Sequence, residues 1–180
     1  KAFVRWCAAA GHGDDWISEL KLRFGVVPRQ RTVDAADLAR LLAVIPDTPA
    51  GRRDRAWLTL AFHTGQRLDA LRLLRWSDYA VDGDEGEIAV VTKGARRHAL
   101  GLTGPSLAAM EAWRAECPSI EWAFPSLRDP SRPICYQYYS HKVRAYALKA
   151  GFSRRVYPHL FRHSHATELG ENGVPAEVIQ

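Results

Sequence analysis

The sequence predicts a mainly α fold with a small antiparallel β-sheet (α+β). Residues 32–46, TVDAADLARLLAVIP, place apolar side chains at i, i+3, i+4 and i+7, which is the spacing of one helix face. Residues 55–65, RAWLTLAFHTG, are apolar on nearly every side, as in a central buried helix. Residues 87–100 instead contain two short β-prone runs around a turn. Helices should therefore supply most of the regular structure.

The individual elements follow from local start and stop signals. The helix in 32–46 should begin at Asp34 and end before Pro46, and the buried helix should end at Gly65. Further elements are expected in this order: strands at 87–92 and 96–100, with Lys93 and Gly94 at their turn, and helices at 104–116, at 136–150 and from Pro158 onward. The sheet should be a hairpin or have three strands.

The chain should divide near residue 31. Residues 1–10 read as the close of a helix, and the Gly-, Pro- and Arg-containing stretch that follows reads as an irregular connector. We therefore expect one domain to end within 1–31 and a second to occupy 32–180. Because the chain starts without Met and PAEVIQ stops after about a turn and a half of a new helix, a further segment is expected beyond Gln180.

Composition narrows the class of protein. The 180 residues are 47% hydrophobic, yet no apolar run is long enough to span a membrane and no secretion signal opens the chain. We expect a soluble cytoplasmic protein. Cys7, Cys117 and Cys135 are odd in number and widely spaced, which favours reduced thiols over disulfides or a CxxC metal site.

Positive charge is concentrated near the end of the chain. Residues 130–167 contain no Asp or Glu, but they include seven Lys and Arg residues and four His. Such a run predicts a face that binds a polyanion. A solvated charged face with a chance shortage of acids is the alternative.

The stretch YPHLFRHSHA, residues 157–166, carries the densest cluster. On a helix, His159, Arg162 and His163 lie at i, i+3 and i+4 and therefore share one face. A zinc site would need a third ligand, and an Arg on the same face would repel the cation, so we expect no metal. His163 and His165 individually suit structural imidazoles. Arg162 suits a bidentate grip on a phosphate, and Arg67, directly after the buried helix, is a second such group or a surface Arg.

Three segments together resemble the tyrosine recombinases, the phage integrase family. TGQRLDALRLLRWSDY is similar to their first arginine box, VVTKGARRHALGL to their β-hairpin with its turn lysine, and HLFRHSHATELGENGVPAEVIQ to the start of their second box. The resemblance runs from about residue 32 to the end. Residues 1–31 resemble the end of a preceding core-binding domain and an interdomain linker.

The resemblance implies an enzyme that breaks and rejoins DNA through a 3'-phosphotyrosyl link, without cofactor, metal or ATP. It assigns phosphate binding to Arg67 and Arg162, proton donation to Lys93, and proton transfer or phosphate support to His159. Double-stranded DNA is the implied partner, and a tetramer on DNA the implied assembly. Candidate contacts to the DNA backbone are Arg96, Arg97, Lys142, Arg144, Arg154 and Arg155.

Two departures from the family pattern bear on activity. The acid that the family carries three residues after the first Arg is replaced by Ala70, and the later His or Trp and the nucleophilic Tyr are expected past residue 180. The chain alone should therefore bind DNA without cleaving it. A non-catalytic DNA-binding module or regulator of the same fold is the alternative, and a type IB topoisomerase is a third possibility.

Overall fold

The computed structural model describes residues 2–12, 32–91, 97–102 and 104–175. The chain divides into two compact units, residues 1–31 and 32–180. The described part of the first unit is helix α1, Ala2–Ala9. The expected connector at 13–31, the turn with Lys93 and Gly94, and residues 176–180 lie outside the described ranges.

The second unit has six helices and one sheet among its described residues, which confirms the predicted fold class. The elements, in chain order, are α2 (Ala35–Ala43), α3 (Pro49–Thr64), α4 (Leu68–Arg72), β1 (Tyr79–Asp82), β2 (Glu85–Val91), β3 (Arg97–Leu102), α5 (Gly104–Arg114), α6 (Tyr136–Lys149) and α7 (Pro158–Glu171). A single 3₁₀ turn, Trp76–Asp78, leads into β1. The strands form an antiparallel sheet in the order β1-β2-β3.

Local capping chemistry sets the helix boundaries. Asp34 accepts a hydrogen bond from the Asp37 backbone N–H and starts α2 as expected. Helix α3 begins at Pro49, six residues earlier than the apolar pattern alone indicated, because the Thr48 side chain accepts from the Gly51 N–H and Pro49 occupies the first turn. The predicted end at Gly65 is confirmed by its left-handed φ of 58°.

Helix α3 forms the centre of the second unit. Trp57, Leu58 and Leu60 are at most 1% exposed, and α3 packs against α2, α5 and α7. Because the helix is enclosed on several sides, its C-terminal end is a rigid starting point for the residues that follow it.

A buried ionic network joins α3 to α6. Arg53 and Asp54 are each 1% exposed, and Arg53 Nη2 lies 2.9 Å from Asp54 Oδ1. The hydroxyls of Tyr138 and Tyr146 donate to Asp54 Oδ2 at 3.0 and 2.7 Å, and Arg53 Nη1 donates to the Pro125 carbonyl. The carboxylate is thus satisfied on both oxygens, which is what a buried charge requires.

Within the described part of the chain, no helix combines the length and the apolar character that crossing a membrane requires.

Candidate functional site

Arg67 lies at a corner between two helices. Gly65 closes α3 with its N–H donating to the Ala61 carbonyl, and Arg67, in extended conformation, is the residue before α4. Leu68 and Leu71 are buried behind it, whereas Arg67 itself is exposed. A firmly packed corner therefore presents an exposed guanidinium.

Helix α7 separates a packing face from a charged face. Pro158 occupies its first turn, and Leu160 and Phe161 are at most 2% exposed. His159 is exposed and Arg162 is half-buried, and both lie on the face opposite the core. The ring of His163 meets that of His159 edge to face at 4.9 Å between centroids. The shared face that the spacing predicted is present.

Direct contacts join α7 to the end of α3. Arg162 Nη1 donates to the Gly65 carbonyl oxygen at 3.1 Å, two residues before Arg67. The His165 ring rests against Gly65 so closely that a Cβ at that glycine would lie 2.6 Å from His165 Cδ2. The two arginine-bearing segments are therefore held together by packing and by a hydrogen bond.

The charges of this cluster act on one another. Burial lowers the pKa of His159, and the positive charges of His163, Arg162 and Arg67 lower it further. Burial also lowers the pKa of Arg162, with Arg67 as the second cause. Arg67, His159 and Arg162 thus share one electropositive environment. Lys93, the fourth residue expected there, lies outside the described ranges.

Such an arrangement is suited to an anion. Two guanidiniums that raise each other's electrostatic energy are relieved when a phosphate oxygen lies between them, and each can form charge-assisted hydrogen bonds to it. Among the residues that the structure describes, no group of three or more His, Cys, Asp or Glu side chains could hold a metal ion. Among the described residues of this cluster, the permanent positive charges are those of Arg67 and Arg162.

The predicted DNA-contact cations lie in different environments. Arg144 is exposed on α6, and Lys142 lies over the Tyr138 and Tyr146 rings at 5.5 and 5.7 Å. Arg97 pairs with Asp78, Arg154 pairs with Asp37, and Arg155 lies 5.9 Å from the centre of the Tyr157 ring. Arg96 is outside the described residues. Residues 130–167 contain no acidic residue, but Asp37 of α2 forms an ion pair with Arg154 of this run.

The departure at Ala70 is not offset by its neighbour. Ala70 packs partly buried against the core, while the Asp69 carboxylate accepts from Arg72 Nε at 2.8 Å. Two partners of the cluster, the Gly65 carbonyl and the His165 ring, could not be predicted from the sequence, because both act through a tertiary contact between α3 and α7.

Replacing Gly65 by alanine should destabilise the protein more than the same change at Gly83. Both glycines have a φ of 58°, which costs a side chain about 1–2 kcal/mol, but nothing lies within 4 Å of a Cβ at Gly83. The contact with His165 should add at least about 1 kcal/mol at Gly65. Urea unfolding of Gly65→Ala, Gly83→Ala and the Gly65→Ala/His165→Ala pair measures the difference. Equal losses at the two glycines would contradict the close contact.

Stability should fall as the pH falls through the histidine range. Burial lowers the pKa of His63 and of His165, with Glu168 opposing in both cases. In the unfolded chain both histidines have a pKa near about 6.5, so on acidification the unfolded chain binds protons before the folded protein does. Their contribution to stability is therefore complete above about pH 6.5 and is lost as the pH falls below it. Urea midpoints at pH 7.5, 6.5 and 5.5 should decrease in that order, and less steeply in His63→Gln and His165→Gln. A midpoint that rises on acidification would contradict this assignment.

Known proteins resemble this chain in sequence and in fold. The model of the phage integrase family matches residues 31–180. Tyrosine recombinase XerC of Xanthomonas campestris pv. campestris (strain B100) is 31% identical over 161 residues, which are 88% of this chain and 49% of that protein. XerC of Xylella fastidiosa (strain 9a5c) is 30% identical over 184 residues, or 100% of this chain and 61% of that protein. The chain thus spans about half to three fifths of these relatives.

Solved structures show the same fold at lower identity. Lambda integrase (residues 75–356) bound to DNA aligns with a TM-score of 0.72 at 20% identity, covering 98% of this chain and 63% of that one. XerA recombinase aligns with a TM-score of 0.69 at 22% identity, covering 91% and 60%.

Proposed function

Because the chain belongs to the phage integrase family of tyrosine recombinases, we propose that it carries the phosphate-binding part of a site-specific DNA recombinase. The enzyme would cleave and rejoin DNA through a covalent 3'-phosphotyrosyl intermediate. The observation that supports this most is the shared electropositive environment of Arg67, His159 and Arg162.

The proposed chemistry uses each of these groups differently. Attack of a tyrosine oxygen on phosphorus builds negative charge on the two non-bridging oxygens, and Arg67 and Arg162 stabilise that charge. His159 has a lowered pKa, is therefore mainly neutral at pH 7, and is suited to accept the proton of the attacking tyrosine. Lys93 donates a proton to the departing 5' oxygen. The phosphotyrosyl link retains the bond energy for religation.

The nucleophile is proposed to come from outside residues 1–180. Five of the six tyrosines are buried or engaged: Tyr138 and Tyr146 donate to Asp54, Tyr79 donates to Glu111, Tyr139 is 1% exposed, and Arg155 lies over the Tyr157 ring. Burial raises the pKa of Tyr138 to about 12 and raises that of Tyr139 well above the ordinary range, which disfavours the phenolate. Residues 1–180 alone should bind DNA without cleaving it.

DNA binding is proposed to extend beyond the scissile phosphate. Helix α6 presents Gln137, His141 and Arg144 on its exposed face, and Arg155 lies beyond its end. Each phosphate that such a cation neutralises should steepen the log-log salt dependence of binding by about 0.9. Lambda integrase has been solved as a tetramer bound to a Holliday junction, and we propose a tetramer on DNA here as well.

The Lys93→Ala variant should not cleave an ordinary phosphodiester, but it should cleave a 5'-bridging phosphorothiolate at close to the wild-type rate. A thiolate is a better leaving group than an alkoxide and needs no proton donor, so the missing ammonium no longer matters. The two substrates are compared in single-turnover assays. A deficit of equal size on both would assign Lys93 a structural role in the hairpin.

A nicked suicide duplex tests the proposed function as a whole. Cleavage releases a short oligonucleotide from such a duplex, so the covalent adduct accumulates, and acid hydrolysis of the adduct should yield phosphotyrosine. Specific DNA binding without any adduct by the full-length protein would favour a non-catalytic DNA-binding module. Ala70, in place of the acidic residue of the family pattern, supports that alternative.

A further inference from the structure

The first residues of the second unit are bonded to helix α7. The Val33 backbone N–H donates to Ser164 Oγ at 2.7 Å, in a buried contact between residues 131 positions apart. The same hydroxyl donates to the Leu160 carbonyl at 2.9 Å. Ser164 is 5% exposed, so neither bond is readily replaced by water. One side chain thus ties residue 33, near the start of the second unit, to the helix that carries His159 and Arg162.

A second set of contacts joins α2 to the residues that precede α7. Asp37 forms an ion pair with Arg154, and Arg40 Nη2 donates to the Ala150 carbonyl at 2.8 Å. The guanidinium carbons of Arg40 and Arg154 lie 4.3 and 5.5 Å from the centre of the Phe152 ring. Arg154 therefore pairs with Asp37 of α2, while 24% of its side chain remains exposed to solvent.

The two attachment points lie on either side of the proposed catalytic stretch. Arg154 precedes His159 by five residues, and Ser164 follows Arg162 by two. An attachment before the helix and another within it together fix where α7 lies and how it is turned about its own axis. Both of these set the distance between Arg162 and Arg67, which lies in the corner that follows α3.

We propose that residues 32–40 act as a brace for α7, with Ser164 as a positioning residue for His159 and Arg162. The inference rests on the function proposed above and adds residues to it that touch neither substrate nor phosphate.

The test compares two hydroxyls on the same helix. Ser164→Ala removes the bond to Val33 together with a bond to the carbonyl four residues earlier. Thr167→Ala removes only the latter kind of bond, because Thr167 is exposed and its hydroxyl donates to the His163 carbonyl at 2.9 Å. Thr167→Ala is thus the matched control. Asp37→Asn weakens the other, partly buried attachment to Arg154 and serves if Ser164→Ala does not fold.

Three quantities are measured on the full-length protein: the single-turnover rate of adduct formation at saturating nicked duplex, the Kd for that duplex, and the pKa of His159 by NMR. Ser164→Ala should lower the rate by about ten- to a hundredfold, since displacement of a catalytic group by about 1 Å has effects of that size. The Kd should change by less than about twofold, because other cations carry the affinity. The pKa of His159 should move toward its ordinary value of about 6.5 as α7 loses its fixed position. Thr167→Ala should resemble the wild type in all three.

The outcomes separate the brace from the proposed function. Wild-type rates and an unchanged His159 pKa in both Ser164→Ala and Asp37→Asn would overturn the brace while adduct formation still supports the recombinase. Failure of the wild type to form any adduct would overturn the recombinase instead, and the His159 titration would then decide the positioning role by itself.

Discussion

Arg162→Ala is expected to slow formation of the covalent DNA adduct by about a hundredfold or more, and Arg67→Ala should do the same. Loss of one preorganised group that stabilises transition-state charge typically costs about 3 kcal/mol. Both guanidiniums contribute to the lowered pKa of His159, and each substitution removes one of these two arginine charges. Single-turnover cleavage of a nicked duplex by the full-length protein measures the effect, and a Kd determined in parallel should change little.

Arg155→Ala is the control for this pair of variants. The Arg155 side chain is exposed, and its guanidinium lies over the ring of Tyr157, the residue that precedes α7. It should reduce duplex affinity and its salt dependence modestly without altering the rate at saturation. A normal adduct rate in Arg162→Ala or Arg67→Ala would refute the assignment of these residues to the scissile phosphate.

Asp54→Ala should lower the free energy of unfolding by about 3–5 kcal/mol. Removal of the carboxylate leaves Arg53 buried without its partner, and breaking a buried pair from one side has a cost of that order. The Tyr138 and Tyr146 hydroxyls lose their acceptor at the same time. Urea unfolding of the variant measures the loss.

Two milder changes calibrate that result. Tyr146→Phe removes one hydrogen bond from Asp54 but no charge, and it should cost about 1 kcal/mol. Asp69→Ala removes an ion pair in which Asp69 is 57% exposed, and it should change stability by less than about 1 kcal/mol. If Asp54→Ala were no worse than Tyr146→Phe, the buried network would not anchor α6 as described.

Local signals predicted much of the fold. The apolar spacing and the Asp34 cap located α2, and the Gly65 signal located the end of α3. The beginning of α3 was placed too late, since the Thr48 and Pro49 signals lie outside the apolar run. Strand β1 carries a weak pattern because only the first of its four residues is buried. It forms by pairing with β2, which no local pattern encodes.

Residue spacing alone predicted only part of the candidate site. The spacing of His159 and Arg162 gave their shared helix face, whereas Arg67 was grouped with them through resemblance to a family. Their proximity arises from the packing of α7 on the end of α3, in particular from His165 against Gly65. Asp37 and Ser164 are likewise distant in sequence from their partners Arg154 and Val33, so charge runs and periodicity could not indicate these contacts.

If Arg67 and Arg162 stabilise charge on one DNA phosphate, a methylphosphonate substrate should make both of them less important. A methyl group in place of one non-bridging oxygen at the scissile position removes a negative charge while the leaving group stays the same. Adduct formation on this substrate is compared with that on the phosphodiester for the wild type, Arg67→Ala and Arg162→Ala. The roughly hundredfold deficits of both variants should shrink to about tenfold or less on the methylphosphonate. Deficits of equal size on the two substrates would contradict this role of the two arginines.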